Sequence, residues 1–226
     1  MNWLQTLSDW SEVWALLLPL TVLLLYKPGG KIVRPLILYV IIAFFLNLLA
    51  TIMAQSAGLP GWLKNNNILY NIHSVVRVVL FSWYILSVRR SLFPLNLKTL
   101  LIVYLAGVAI NFIFLETPFL LSSRLFSAES IILLIICLFY FLRSILDDSS
   151  TNWLSHSSFL VGTGICLYEA LTFFIFLFFY PLHNRNSAYW DPSFAIATMR
   201  IYTVIYVLLC LLLALGLYKS RREKPA

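Results

Sequence analysis

Seven long apolar runs, joined by short polar connectors, constrain this chain more than any other feature. They lie at about 12–26, 36–55, 68–88, 99–115, 123–146, 157–180 and 193–218. A helix rises about 1.5 Å per residue and a bilayer's hydrocarbon core is ~30 Å thick, so a run of ~20 apolar residues makes one crossing. The first and fourth runs are short, but the first can extend back toward Leu4 and the fourth through Thr117. The runs are continuous rather than alternating, which argues against a membrane β-barrel. The predicted fold is all-α: one polytopic transmembrane helix bundle over residues 1–226, with seven spans.

The connectors explain where the runs stop. Pro28, Gly29 and Gly30 break the first, Gly58, Pro60 and Gly61 the second, and Pro94 lies between the third and fourth. No connector is long enough for a soluble domain. Hydrophobic residues make up 61% of the chain and charged ones 11%, too few charges to cover a water-exposed surface. The N-terminus carries Asp9 and Glu12 ahead of the first run and no basic stretch, so it reads as a retained span rather than a cleaved signal.

Lysine and arginine give the bundle a direction, because connectors on the cytoplasmic side carry the excess of both. One side holds Lys27, Lys31, Arg34, Arg89, Arg90, Lys98, Arg143, Lys219, Arg221, Arg222 and Lys224; the other side's loops hold only Lys64 and Arg185. That asymmetry predicts a cytoplasmic C-terminus, an N-terminus outside, and multi-pass residence in the cell's inner (plasma) membrane. The net charge of +7 belongs to this topology. It forms no basic stripe on a soluble face, so nucleic acid is not a partner.

Ionisable groups inside spans cost several kcal/mol and usually pair or face a wet cavity. Arg77, Arg124, Arg200, Glu129 and Glu169 fall within or at the edge of the runs. Arg77 and Glu169 lie near mid-span, whereas Arg124 is at the outer edge. Tyr70, His73 and Arg77 share one helical face, and Arg200, Thr203 and Tyr206 share another by the same spacing. Asn47, Asn71 and Asn111 fall at matching depths. The predicted polar set is therefore Asn47, Tyr70, Asn71, His73, Arg77, Asn111, Glu129, Glu169, Arg200, Thr203 and Tyr206, gathered in the outer half. Two readings fit it: glue between helices, or a pocket for a small ligand. Three arginines against two glutamates tilt the ligand toward an anion. Gly162, Gly164 and Cys166 would let the sixth helix approach a neighbour closely.

Several chemistries lack their residues. The seventh run has no lysine for a retinal Schiff base, no aspartate lies in any run, and Cys137, Cys166 and Cys210 form no C-x-x-C pair. His73, His156 and His183 are too scattered for a metal. No catalytic residue, metal site or cofactor is assigned.

The segments NNNILYNIHSVVRVVLFSWYILS, FSAESIILLIICLFYFL, FLVGTGICLYEALTFFIFLF and IYTVIYVLLCLLLALGLYK cover a little under half the chain. They resemble an uncharacterised family of small bacterial seven-helix integral membrane proteins. The shared pattern is an Asn-rich entry to the third helix, a Glu early in the fifth and small residues early in the sixth. The family commonly has an acidic residue where Arg77 stands. The resemblance implies the seven-helix fold and a bacterial origin; the family has no assigned activity.

Two uses fit the sequence. One is a sensor, receptor-like or scaffold subunit that binds a small ligand, with an anion favoured, in its outer half and signals through a separate cytoplasmic partner. The other is a small-molecule transporter or permease. An intramembrane enzyme is a third and weaker fit.

Overall fold

The computed structural model describes residues 9–28, 30–56, 65–88, 96–146, 156–178 and 192–221. Seven helices follow in order: α1 Ser11–Tyr26, α2 Arg34–Gln55, α3 Asn67–Val88, α4 Leu97–Ile110 with a π-helical continuation Asn111–Leu115, α5 Ser123–Leu146, α6 Ser157–Leu177 and α7 Pro192–Ser220. Among the described residues there is no strand. The helix limits agree with the apolar runs to within two or three residues. Residues 179–180, which the sequence adds to the sixth span, lie outside the described residues, as do Lys64, Arg89, Arg90, His183, Arg185, Arg222 and Lys224.

Six helices are long and apolar enough to cross a membrane; α1, with 16 residues, is shorter. Leu24, Leu25, Ile102, Ile113, Phe114 and Val204 are among many exposed large apolar side chains. Water would not tolerate that much contiguous apolar surface, and lipid would. The chain is a multi-pass membrane helix bundle.

Local chemistry sets the helix ends. Pro35 opens α2, where its missing N–H costs nothing. The Asn96 side chain accepts from Lys98 N at the start of α4, and Ser122 Oγ accepts from Leu125 N ahead of α5. α1 ends on Lys27, whose φ of 43° places it in the left-handed region while its N–H bonds Leu23 O.

Six helices close a ring in the order α1, α2, α3, α5, α6, α7 and back to α1. α4 stands outside it with little contact to the rest. Helices consecutive in the chain run antiparallel, so the ring neighbours α3 and α5, and likewise α7 and α1, run parallel. Trp10 Nε1, ahead of α1, donates to Gln55 Oε1 at the end of α2. Asn66, ahead of α3, donates to Ala50 O. These define the upper end. At the lower end, where α1 and α7 both finish, the Tyr26 and Tyr218 rings meet edge to face.

The lower half is closely packed. A Cβ on Gly164 would lie 3.0 Å from Leu212 Cβ of α7, and one on Gly162 would lie 3.1 Å from the Tyr140 ring of α5. The predicted close approach of α6 through these two glycines is present. Gly216 of α7 is tighter still: a Cβ there would overlap Val161 and lie 3.3 Å from Ser157 O. Phe81, Leu133, Ile136, Leu213 and Leu217 fill the remaining space.

Candidate functional site: an ionic centre inside the helix ring

The centre of the ring holds charge. Arg77 lies ten residues into α3, roughly 15 Å along it, and is 1% exposed. Its Nε faces Glu129 Oε1 of α5 in an ion pair, and its Nη2 lies 3.5 Å from Glu129 Oε2. Ser74 of α3 donates to that same Oε2. Ser74 and Arg77, three residues apart, share a face and grip one carboxylate together.

The other side of the guanidinium meets α6. Nη1 donates to Tyr168 Oη, and the guanidinium carbon sits 4.8 Å from the Tyr168 ring centroid. Tyr168 Oη in turn donates to Tyr202 Oη of α7 at 3.4 Å. Tyr202 and Tyr70 both hydrogen-bond the half-buried Glu12 carboxylate in the first turn of α1. A chain of donors therefore runs from the guanidinium through two tyrosines to a second carboxylate near the upper end.

Glu169, the residue after Tyr168, turns about 100° away from it around α6 and faces α5. Its Oε2 accepts from Ser130 Oγ at 2.8 Å. Its Oε1 is buried and has no hydrogen-bond partner. α5 thus presents Glu129 to α3 and the adjacent Ser130 to α6.

Hydroxyls and amides edge this centre. Asn47 of α2 donates to Tyr206 Oη of α7 at 3.0 Å. Tyr39 Oη lies 3.4 Å from His73 Nε2, and the two rings stack. Tyr104 of α4 brings a buried, unpartnered hydroxyl near Ser74.

Seven of the predicted residues thus meet in the ring: Asn47, Tyr70, His73, Arg77, Glu129, Glu169 and Tyr206. Two others serve a different structure. The Asn71 side chain donates to Pro118 O at 3.0 Å and Leu120 O at 2.8 Å, and accepts from Ser122 N at 3.2 Å. Asn65 and Asn67 both donate to Phe119 O. Asn111, turned inward by the π turn that bonds Glu116 N to Asn111 O, donates to Ser122 Oγ at 3.1 Å. The Asn-rich entry of α3 is a clamp on the α4–α5 connection.

Arg200 and Thr203 stay outside the centre. Arg200 is exposed, and Thr203 Oγ1 bonds back to Met199 O within its own helix. The inward face of α7 runs through Tyr202, Tyr206, Leu209, Leu213 and Leu217. Tyr206 shares a stripe with Tyr202 four residues back, not with Thr203 three back. Arg124 is also exposed, 3.6 Å from Glu116. The three-to-two excess of arginine that favoured an anion is absent at the centre, where one guanidinium faces two carboxylates.

The sequence does not single out Glu12, which it places ahead of the first span, or the hydroxyls of Tyr39, Tyr104, Ser130, Tyr168 and Tyr202. Tyr168 carried a usable signal, being a tyrosine at mid-span beside a glutamate. Among the described residues no three His, Cys, Asp or Glu side chains converge to hold a metal. No family model matches the chain, and neither a curated protein nor a solved structure is detectably similar to it.

Proposed function

We propose that this chain is a seven-span protein of the bacterial inner membrane, N-terminus outside and C-terminus cytoplasmic, acting as a sensor subunit. In this reading a small ligand binds the ionic centre from the outer side, and the bundle signals through a separate cytoplasmic partner. The carrying observation is the continuous polar path from Glu12 to Arg77 and its carboxylates, which joins α1, α3, α5, α6 and α7. A change of charge at such a centre alters the packing of five helices together, because each polar contact is strong in a dry interior and costly when broken. The orientation is supported by the described cations Lys27, Lys31, Arg34, Lys98, Arg143, Lys219 and Arg221, which all sit at the lower end of the ring. Exposed basic groups there suit an anionic leaflet or an acidic partner surface.

A permease is the second reading. The observation favouring it is the unpartnered Glu169 Oε1, since a coupling carboxylate must be free to load and unload. The apolar lower half works against it, because a permease needs an exit there.

Thermal-shift screening of the purified protein against a varied panel of small solutes tests the sensor reading. A binder should raise the melting temperature without crossing the membrane of proteoliposomes. Flux of the same binder would transfer the assignment to the permease, and a panel without binders would sink both. For orientation, a green fluorescent protein fused to the C-terminus should fluoresce in cells, and alkaline phosphatase fused there should be inactive. The reverse pattern would refute the topology.

A further inference from the structure

Arg77, Glu129 and Glu169 are each at most 1% exposed. The guanidinium is engaged on one side by the Glu129 carboxylate and on the other by Tyr168. Glu169 receives one hydrogen bond, from Ser130, on one oxygen. Its other oxygen faces the interior with no donor. With both carboxylates ionised, the centre carries a negative charge in a low-dielectric interior, and an uncompensated buried ion costs several kcal/mol. The cation near it, Arg77, is already engaged by Glu129 and Tyr168.

From this geometry we infer that Glu169 binds a single positive charge, held by its unpartnered oxygen between α5 and α6. The inference rests on the reading of the ionic centre as a ligand site and names the ligand's class: a monovalent cation, which is either an alkali-metal ion or a proton. It replaces the anion that the arginine count suggested. The groups around this position are Glu129, Ser130 and Cys137 from α5, Arg77 from α3, and Cys166 and Tyr168 on its own helix. The Tyr104 hydroxyl from α4 is within electrostatic reach. The only cation among them is Arg77, and the other groups offer oxygen or sulfur.

Glu169 itself gives the test. A hydrophobic carbodiimide reacts with an intramembrane carboxyl that is protonated and free of metal, and the modified peptide is read by mass spectrometry. The full chain in detergent or nanodiscs would be labelled at fixed pH in sodium, potassium or N-methylglucamine chloride, and then across pH in N-methylglucamine alone. If the site takes an alkali-metal ion, sodium or potassium at ten times its Kd should slow labelling about tenfold, because roughly a tenth of the sites remain free. If it takes a proton, the metals should have no effect and labelling should slow as pH rises. Labelling at Glu169 that ignores both, or none at any condition, would overturn the inference. Glu169→Gln keeps an acceptor for Ser130 and removes the charge, so it should fold, lose the label and lose any cation-dependent rise in melting temperature. A cation-dependent rise that persists in this variant would place the site elsewhere and overturn the assignment. The sensor reading can survive such a failure, since it is judged separately by binding and flux of the screened solutes.

Discussion

Replacing Arg77 by leucine should destabilise the bundle far more than an average substitution. The side chain is buried, and its removal leaves Glu129 with only Ser74 as a donor while Glu169 loses the nearest cation. Breaking a buried pair from one side typically costs about 3–5 kcal/mol, because the remaining charge is stranded. Taking about 2–4 °C per kcal/mol for a chain of this size, the melting temperature should fall by roughly 6–20 °C. Glu129→Leu should cost a similar amount by stranding the guanidinium. The double variant should cost less than the sum of the two single ones, by a coupling of about 1–3 kcal/mol. The protein supplies its own reporter: Cys137 and Cys210 are buried, so a thiol-reactive dye reads unfolding directly. If the two single effects add within about 0.5 kcal/mol, or if Arg77→Leu melts within 2 °C or so of the parent, the ion pair does not hold the ring together and the reasoning fails.

Other positions give separate checks. Gly216→Ala forces a methyl against Val161 and the Ser157 carbonyl, so it should cost about 1–3 kcal/mol by overpacking, read in the same thermal assay. Asn71→Ala removes three bonds to the α4–α5 connection and should lower stability by about 1–3 kcal/mol; protease cleavage between 116 and 122 should also quicken. Arg200→Ala and Thr203→Ala, outside the centre, should each stay within about 0.5 kcal/mol of the parent. A larger loss at Arg200 would contradict its exposed placement.

The helices were legible in the sequence because lipid demands long apolar runs and the connectors punctuate them with proline, glycine and charge. The limits of α3 and α5 follow from that grammar alone. The centre was legible in part. Arg77, Glu129 and Glu169 stand out because ions do not belong at mid-span. Which arginine pairs with which glutamate depends on helix rotation, and apolar runs this uniform leave rotation open. Arg200 shows the difficulty: its spacing to Tyr206 fits an inward face, yet α7 turns its tyrosines inward at positions 202 and 206 and leaves Arg200 outside. The hydroxyls were hidden by their type. A tyrosine near a span end reads as an interface residue, and only the ring closure brings Tyr39 beside His73 and Tyr202 beside Glu12. Asn71 and Asn111 were visible as polar residues, but their partners are backbone carbonyls and a serine of a short connection, which no periodicity announces.

The partnership between α3 and α5 also sets an order of events during synthesis. Among the six long helices α3 has the lowest mean hydropathy, 1.4, and an arginine at a helix centre adds about 2.5–3.5 kcal/mol to the cost of insertion. Glu129 lies 52 residues further along the chain and Tyr168 lies 91 residues further. At about 5–20 residues per second, Arg77 emerges roughly 3–10 s before its carboxylate exists. For that interval α3 has to be sheltered by the insertion machinery or by α2. The ion pair thus makes the birth of α5 the step that commits α3 to the bilayer, and a nascent chain stalled between the two should hold α3 only loosely.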